Sequence, residues 1–211
     1  MSSPGDRSEW IRVSCATLCR IEHAGRFLLL INQNRRHKGL YVLSPIGGAL
    51  QVYAPDKLAA FGAMPESSAS DELRLNLPVA LLPDFRTWFL RSEDRETSPF
   101  RELHEELVSE SGLLDALEPD QVTCKYLWTL EEEAFTQRLG QTGLLTHYFL
   151  EVYDVTFTAA VLGPLLSPPE GGGAAWVTAD QIERGDTITL HIDGADRDVR
   201  VRGDPLVRPP A

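Results

Sequence analysis

Apolar and polar positions alternate from Val13 through Cys15, Thr17, Cys19 and Ile21, the period of a half-buried strand. Glu22, His23, Ala24 and Gly25 turn the chain, and the apolar run 26–31 predicts a second strand closing a hairpin. A polar loop over 32–39 leads to a third strand at 40–43. Ser44-Pro-Ile-Gly-Gly48 ends that strand; adjacent glycines let backbone approach a ligand and serve a plain tight turn equally well. Between Phe61 and Asp71 no periodicity emerges. Residues 73–82 are apolar enough for a strand, which Pro78 would confine to an edge. Pro83 and Asp84, followed by Phe85, Trp88 and Phe89, predict a short helix with an aromatic face.

The second half is strand-rich. Residues 121–130 alternate and predict a strand; 131–143 read as a polar connection whose middle, 134–139, forms one or two helical turns. Residues 144–157 are apolar on both faces, as in a central buried strand. A flexible loop over 167–173 precedes a strand at 175, which runs into a short helix started by Thr178 or Ala179. The tail, 187–207, suggests a hairpin around Asp193-Gly194.

The segment 93–107 carries the chemistry. Ser98 suits a helix N-cap and Pro99 the first helical position. Phe100, Leu103 and Leu107 then share the face to be buried. Glu102, Glu105 and Glu106 fall opposite, within an arc of roughly 100°. Carboxylates so crowded call for a hard divalent cation or for open water. An ordinary solvated face, with acids favoured in the first turns by the helix dipole, is the alternative.

In register the segment resembles the Nudix box, Gly, five residues, Glu, seven residues, Arg-Glu-apolar-x-Glu-Glu-x-Gly-apolar: Glu93 is followed after seven residues by Arg101-Glu-Leu-His-Glu-Glu106. Thr87 and Val108 replace the pattern's glycines, and Gly112 arrives four residues late, so the helix is expected to run one extra turn. Pro45, Gly47 and Gly48 resemble the Pro-Gly-Gly segment common in that family, with Ile46 inserted. A Trp176-Val177 strand entering a short helix resembles the end of a Nudix domain.

The resemblance implies an α+β fold of the α-β-α sandwich kind: a mixed sheet, a catalytic helix and a long insertion before it. It implies one domain over 1–211, with the insertion at about 49–92 and a C-terminal extension at about 184–211. By similarity, Glu102, Glu105 and Glu106 would hold Mg²⁺ or Mn²⁺, Arg101 would orient a carboxylate, and Gly47 and Gly48 would meet the substrate. Glu93 would be a supporting acid. The general base would be Glu102 or a loop glutamate: Glu131, Glu132, Glu133 or Glu170. The implied reaction is hydrolysis of a diphosphate linkage in a nucleoside diphosphate joined to another group; the alternative is a catalytically silent nucleotide-sensing module. The insertion and missing glycines resemble the subgroup associated with bacterial nucleotide-signalling conflict systems. An unrelated α/β protein with a solvated acidic helix is the third reading.

Other residues have two readings each. Trp88 covers a site or packs in the core; His147 and Glu151 add a ligand or base, or are ordinary strand residues. Arg35, Arg36, His37 and Lys38 meet an anionic substrate or line a solvated loop.

Composition narrows the partners. A formal charge of −11 argues against long nucleic acid, whose binding rests on neutralising phosphates, but leaves a small nucleotide bridged by metal. No run is long enough to span a membrane, and the N-terminus lacks the regions of a signal peptide. The three cysteines, Cys15, Cys19 and Cys124, lack zinc or disulfide spacing and fit the cytoplasm. A homodimer is left open. Neither a phosphate loop of the Walker type, nor G-x-G-x-x-G, nor G-x-S-x-G occurs.

Overall fold

The alternation that starts at Val13 belongs to a strand longer than the pattern suggests, β1 Trp10–His23. The structure is a computed structural model and describes residues 10–67, 69–136 and 143–210. Its other strands are β2 Arg26–Ile31, β3 Val42–Ser44, β4 Met64–Pro65, β5 Arg74–Pro78, β6 Val122–Phe135, β7 Leu145–Phe157, β8 Ala174–Thr178, β9 Thr187–Ile192 and β10 Ala195–Val201. The helices are α1 Gln33–Arg36, α2 Asp56–Ala59, α3 Leu82–Leu90, α4 Phe100–His104, α5 Ala159–Leu166, α6 Ala179–Arg184 and α7 Asp204–Val207. The fold is mixed α/β with mainly antiparallel pairing. Among the described residues no helix is long and apolar enough to cross a membrane. Contacts divide the chain into two compact units.

The first unit comprises Met1–Ala16, Ala49–Thr97 and Thr129–Leu150, so most of the expected insertion lies in it. β5 pairs with β1 on one side and β4 on the other, and is therefore not the edge strand expected at 73–82. Pro78 is accommodated because it ends the strand, opposite Trp10. In α3, Phe85 and Phe89 are fully buried and meet Phe149 at 5.9 and 4.9 Å between ring centres. Trp88 packs on Phe61 and Phe85, which supports its core reading.

Arg95, almost fully buried, is satisfied by backbone. Its Nε and Nη2 donate to Phe89 O at 3.0 and 2.8 Å, and Nη1 to Glu96 O at 2.8 Å. Its guanidinium lies 4.0 Å from the centre of the Phe89 ring, where charge and π-face attract.

The acids at 131–133 do not end β6, contrary to the polar connection expected there. Glu131 and Glu133 each meet a ring nitrogen of His147, at 3.2 and 3.1 Å, and Arg86 donates to Glu131 at 2.9 Å. Hydrogen bonds from His147 across the strands and from Arg86 let the ladder continue, and Ala134 and Phe135 are strand rather than helical turn. The remainder of that expected turn, 137–139, lies outside the described residues.

The second unit comprises Thr17–Gly48, Ser98–Trp128 and Glu151–Ala211. β2 pairs with the end of β1, with β3 and with β8, all antiparallel. Its side chains serve two cores. Leu28 and Leu30 join Cys19, Ile21, Leu103, Leu107 and Tyr153; Phe27, Leu29 and Ile31 join Val177, Ile182, Ile192 and Val199. Burial on both faces explains why this strand reads as a continuous apolar run. The tail forms the expected hairpin: Asp193 and Gly194 have φ of 56° and 72°, as a two-residue primed turn demands. Its second strand, β10, also pairs parallel with β3. Thr178 caps α6, its hydroxyl accepting from Gln181 N–H at 3.3 Å. α5 was not anticipated; Gly163 and Pro164 mask an apolar face formed by Val161 and Leu165.

Candidate functional site

The acidic segment starts its helix one residue later than expected. Pro99 takes the N-cap position, while Ser98 Oγ accepts from Phe100 N–H at 3.3 Å. Leu103 and Leu107 are fully buried, as their spacing requires. The helix then runs on from Glu105 to Glu110 as a π-turn, with Ser111 N–H donating to Glu106 O, five residues back, at 3.0 Å. Gly112, at φ 60°, closes it. Val108, at a glycine position of the pattern, packs partly buried against the core. Thr87, at the other, lies in α3 with its hydroxyl donating to Pro83 O at 2.9 Å. Helix occupies that position, so the glycine's conformational freedom has no use there.

The three glutamates have different surroundings. Glu102 is buried, and Arg101 Nη1 lies 2.7 Å from its Oε1. The same nitrogen lies 3.4 Å from Oε2 of the exposed Glu105. Glu106 Oε1 accepts from Gly47 N–H at 3.0 Å. Burial raises the Glu106 pKa to about 8; the Gly47 N–H opposes the rise, and Glu110, Glu102 and Glu105 add to it by repulsion. Among the described residues no group of three His, Cys, Asp or Glu side chains is gathered as a metal centre. Arg101 and the Gly47 amide instead divide the carboxylates between them.

Gly47 and Gly48 lie against this helix. A Cβ on Gly48 would stand 2.1 Å from Glu102 Oε2, and one on Gly47 would stand 2.0 Å from the Thr17 carbonyl oxygen, at φ 150°. The two glycines therefore fail differently. Gly47→Ala meets backbone and strained φ, so it should lose roughly 1–3 kcal/mol or more of stability in denaturant melts. Gly48→Ala meets the end of a flexible side chain, so it should melt near the wild-type temperature while displacing the Glu102 carboxylate. Equal stability losses in both variants would contradict this geometry.

Thr17 is the residue that sequence reasoning passed over. It is fully buried, its hydroxyl has no hydrogen-bond partner among the described residues, and its N–H donates to Gly48 O at 2.9 Å. Alternation puts its side chain on the face of β1 shared with Cys19, which packs with Leu103 and Leu107. The available signal was a hydroxyl at an inward position of an otherwise apolar alternation. The Glu102 and Glu106 carboxylates are hard oxygen donors of the kind Mg²⁺ or Mn²⁺ takes, whereas the Gly47 N–H can only donate a hydrogen bond and orients a carboxylate.

The other candidates are placed as follows. Glu131, Glu132, Glu133 and His147 belong to the first unit, where His147 is engaged by two of the acids. Glu93, also there, is exposed. Glu151 is buried and accepts from Tyr153 OH at 3.1 Å. Glu170 lies exposed in the loop before β8. Arg36 pairs with Asp193 at the hairpin turn, which gives it a structural partner, whereas Arg35 and Lys38 are exposed. Cys15 is buried, and among the described residues Cys19 and Cys124 form no disulfide; burial raises Cys19 well above the ordinary value and Cys124 to about 11. Both are therefore protonated at neutral pH.

Comparison with known families matches residues 10–193 to the SMODS-associated NUDIX domain. Neither the curated proteins nor the solved structures contain a match.

Proposed function

This chain belongs to the SMODS-associated NUDIX domain family, and on that premise we propose that it is a metal-dependent hydrolase of a nucleotide. The bond cleaved is a diphosphate linkage in a nucleoside diphosphate joined to a second group. The observation that carries this reading is the apposition of Glu102 and Glu106 to the glycine pair at 47 and 48. It brings two carboxylates together against backbone that only glycine lets them approach.

In this reading Glu102, Glu105 and Glu106 hold Mg²⁺ or Mn²⁺. Such an ion, when bound, neutralises diphosphate oxygens and makes a water acidic enough to attack phosphorus. Arg101 fixes the Glu102 and Glu105 carboxylates from a single guanidinium nitrogen, Nη1. Gly47 N–H fixes Glu106, and the missing side chain at Gly48 leaves room for Glu102. Glu102 or a loop glutamate takes the proton of the attacking water.

A panel of dinucleoside polyphosphates, nucleotide sugars, ADP-ribose and nucleoside triphosphates tests this. Hydrolysis of at least one is expected with Mg²⁺, and none in excess chelator. Turnover that persists in chelator would rule the mechanism out. The competing reading, a nucleotide-sensing module without turnover, is favoured by the division of the acids between Arg101 and Gly47. It predicts nucleotide binding and no product from any member of the panel.

A further inference from the structure

The outer edge of β9 carries backbone groups that nothing in the fold uses. Val201 N–H donates to Asp186 O at 2.8 Å, whereas Arg200 N–H donates to Tyr41 O at 3.1 Å and Arg202 N–H to Leu43 O at 2.9 Å. Odd-numbered residues of β10 therefore face β9, and even-numbered ones face away from it. The register pairs Ile188 with Val199, Leu190 with Arg197 and Ile192 with Ala195. It follows that Thr187, Thr189 and His191 turn their N–H and C=O groups outward. Among the described residues these outward groups have no partner. The side chains of all three are exposed.

Open edges are ordinarily blunted by charge, proline, a bulge or short length. β4 fits that rule, being two residues long and ending in Pro65. β9 does not: its six residues, Thr-Ile-Thr-Leu-His-Ile, contain neither a proline nor an acid, lysine or arginine. It also walls a cleft of about 270 Å³, opposite Pro168, Pro169, Glu170 and Gly171. Ala174, the first residue of β8, reaches the same cleft. Within the ladder β8–β2–β3–β10–β9, the two end strands thus border one opening.

We propose that this cleft receives an extended peptide segment of another protein, which adds to β9 as a further strand and sets a basic side chain against Glu170. Outward amides and carbonyls at every second residue match the hydrogen-bonding repeat of a strand, which a compact small molecule lacks. Glu170 makes no ion pair among the described residues, and the chain's charge of −11 favours a cationic visitor. A second copy of the chain fits less well. Its own β9 would bring the same loop and the same Glu170 into the opening, like charge against like. No residue of the acidic helix enters the inference; it shares Glu170, a candidate base, with the hydrolase reading, and amide exchange reports it without any turnover.

Hydrogen exchange of the Thr187, Thr189 and His191 amides, read by NMR on the full chain, tests the proposal. The probes are the blocked peptide Thr-Val-Lys-Val-Thr-Val and its variant with Glu in place of Lys. The lysine peptide is expected to slow exchange of Thr189 and His191 by ~10-fold or more at saturation, with little effect from the glutamate peptide. Thr189→Pro removes an amide the fold leaves unused, so it should abolish the slowing at an unchanged melting temperature. Glu170→Lys, a second variant, should reverse the peptide preference. No slowing by either peptide overturns the proposal. So does protection that appears without peptide and grows with protein concentration, because the edge would then serve a second copy.

Discussion

Glu105→Gln and Glu106→Gln are each expected to cut turnover at least ~100-fold on whichever substrate the chain hydrolyses. The substitution keeps shape and hydrogen-bonding capacity and removes the carboxylate charge, which Glu106 carries only once its buried proton has left. At Glu106 the amide oxygen can still accept from Gly47 N–H, so the 3.0 Å contact gives no reason for local collapse. On the proposed function, what disappears is a charged ligand for the cation that would offset a crowded diphosphate. In free energy, ~100-fold is about 2.7 kcal/mol, within the range a lost charge contact supplies. Initial rates at saturating Mg²⁺ check it. Undiminished rates in both variants would contradict the assignment of these side chains.

The second large effect is on stability and has the opposite sign. The Glu106 carboxyl titrates near pH 8 in the folded chain, chiefly because it is buried, against an ordinary value of 4.5. Between those values the folded state keeps a proton that the unfolded chain has released. The unfolded state binds fewer protons, so stability falls as pH rises through this window. The stabilisation is complete below the ordinary value and lost once pH passes about 8. A single group changes stability by at most ~1.4 kcal/mol per pH unit, so the loss across the window is on the order of a few kcal/mol.

In chelator, then, the wild-type melting temperature should drop between pH 5 and pH 8 by more than that of Glu106→Gln, which cannot ionise there. At pH 8 the inactive variant should be the more stable protein. A group retained at a cost in folding is what a functional site often contains. Parallel pH profiles for the two proteins would count against the burial and repulsion described for this carboxyl.

Much of the site could be read from the sequence because helix periodicity and spacing are local. The interval from Glu93 to Arg101, and the faces carrying Leu103 with Leu107 and Glu102 with Glu106, need no tertiary information. Gly47 and Gly48 could be noticed, but what they approach could not. Only the fold places one against the Thr17 carbonyl and the other against Glu102. Thr17 escaped notice for the same reason, since its burial and unpaired hydroxyl depend on what packs over β1.

The misread elements have two kinds of cause. Pro78 was assigned to an edge because proline lacks a ladder donor, yet as the last residue of β5 it needs none. The acids from Glu131 to Glu133 looked like a loop because Arg86 and His147, which pair with two of them, are distant in sequence. α5 was hidden by a glycine and a proline inside a short apolar helix. Only the acids turn on a distant partner; Pro78 and α5 turn on where a proline falls within its own element.

The central claim is that the carboxylates following Pro99 hold a divalent cation. Calorimetric titration of Mn²⁺ into the full chain at pH 8, beside Glu106→Gln and without substrate, tests it most directly. Saturable binding by the wild type, weakened at least ~10-fold in the variant, is the predicted result. Equal affinity in the two proteins, or no binding to either, would contradict it.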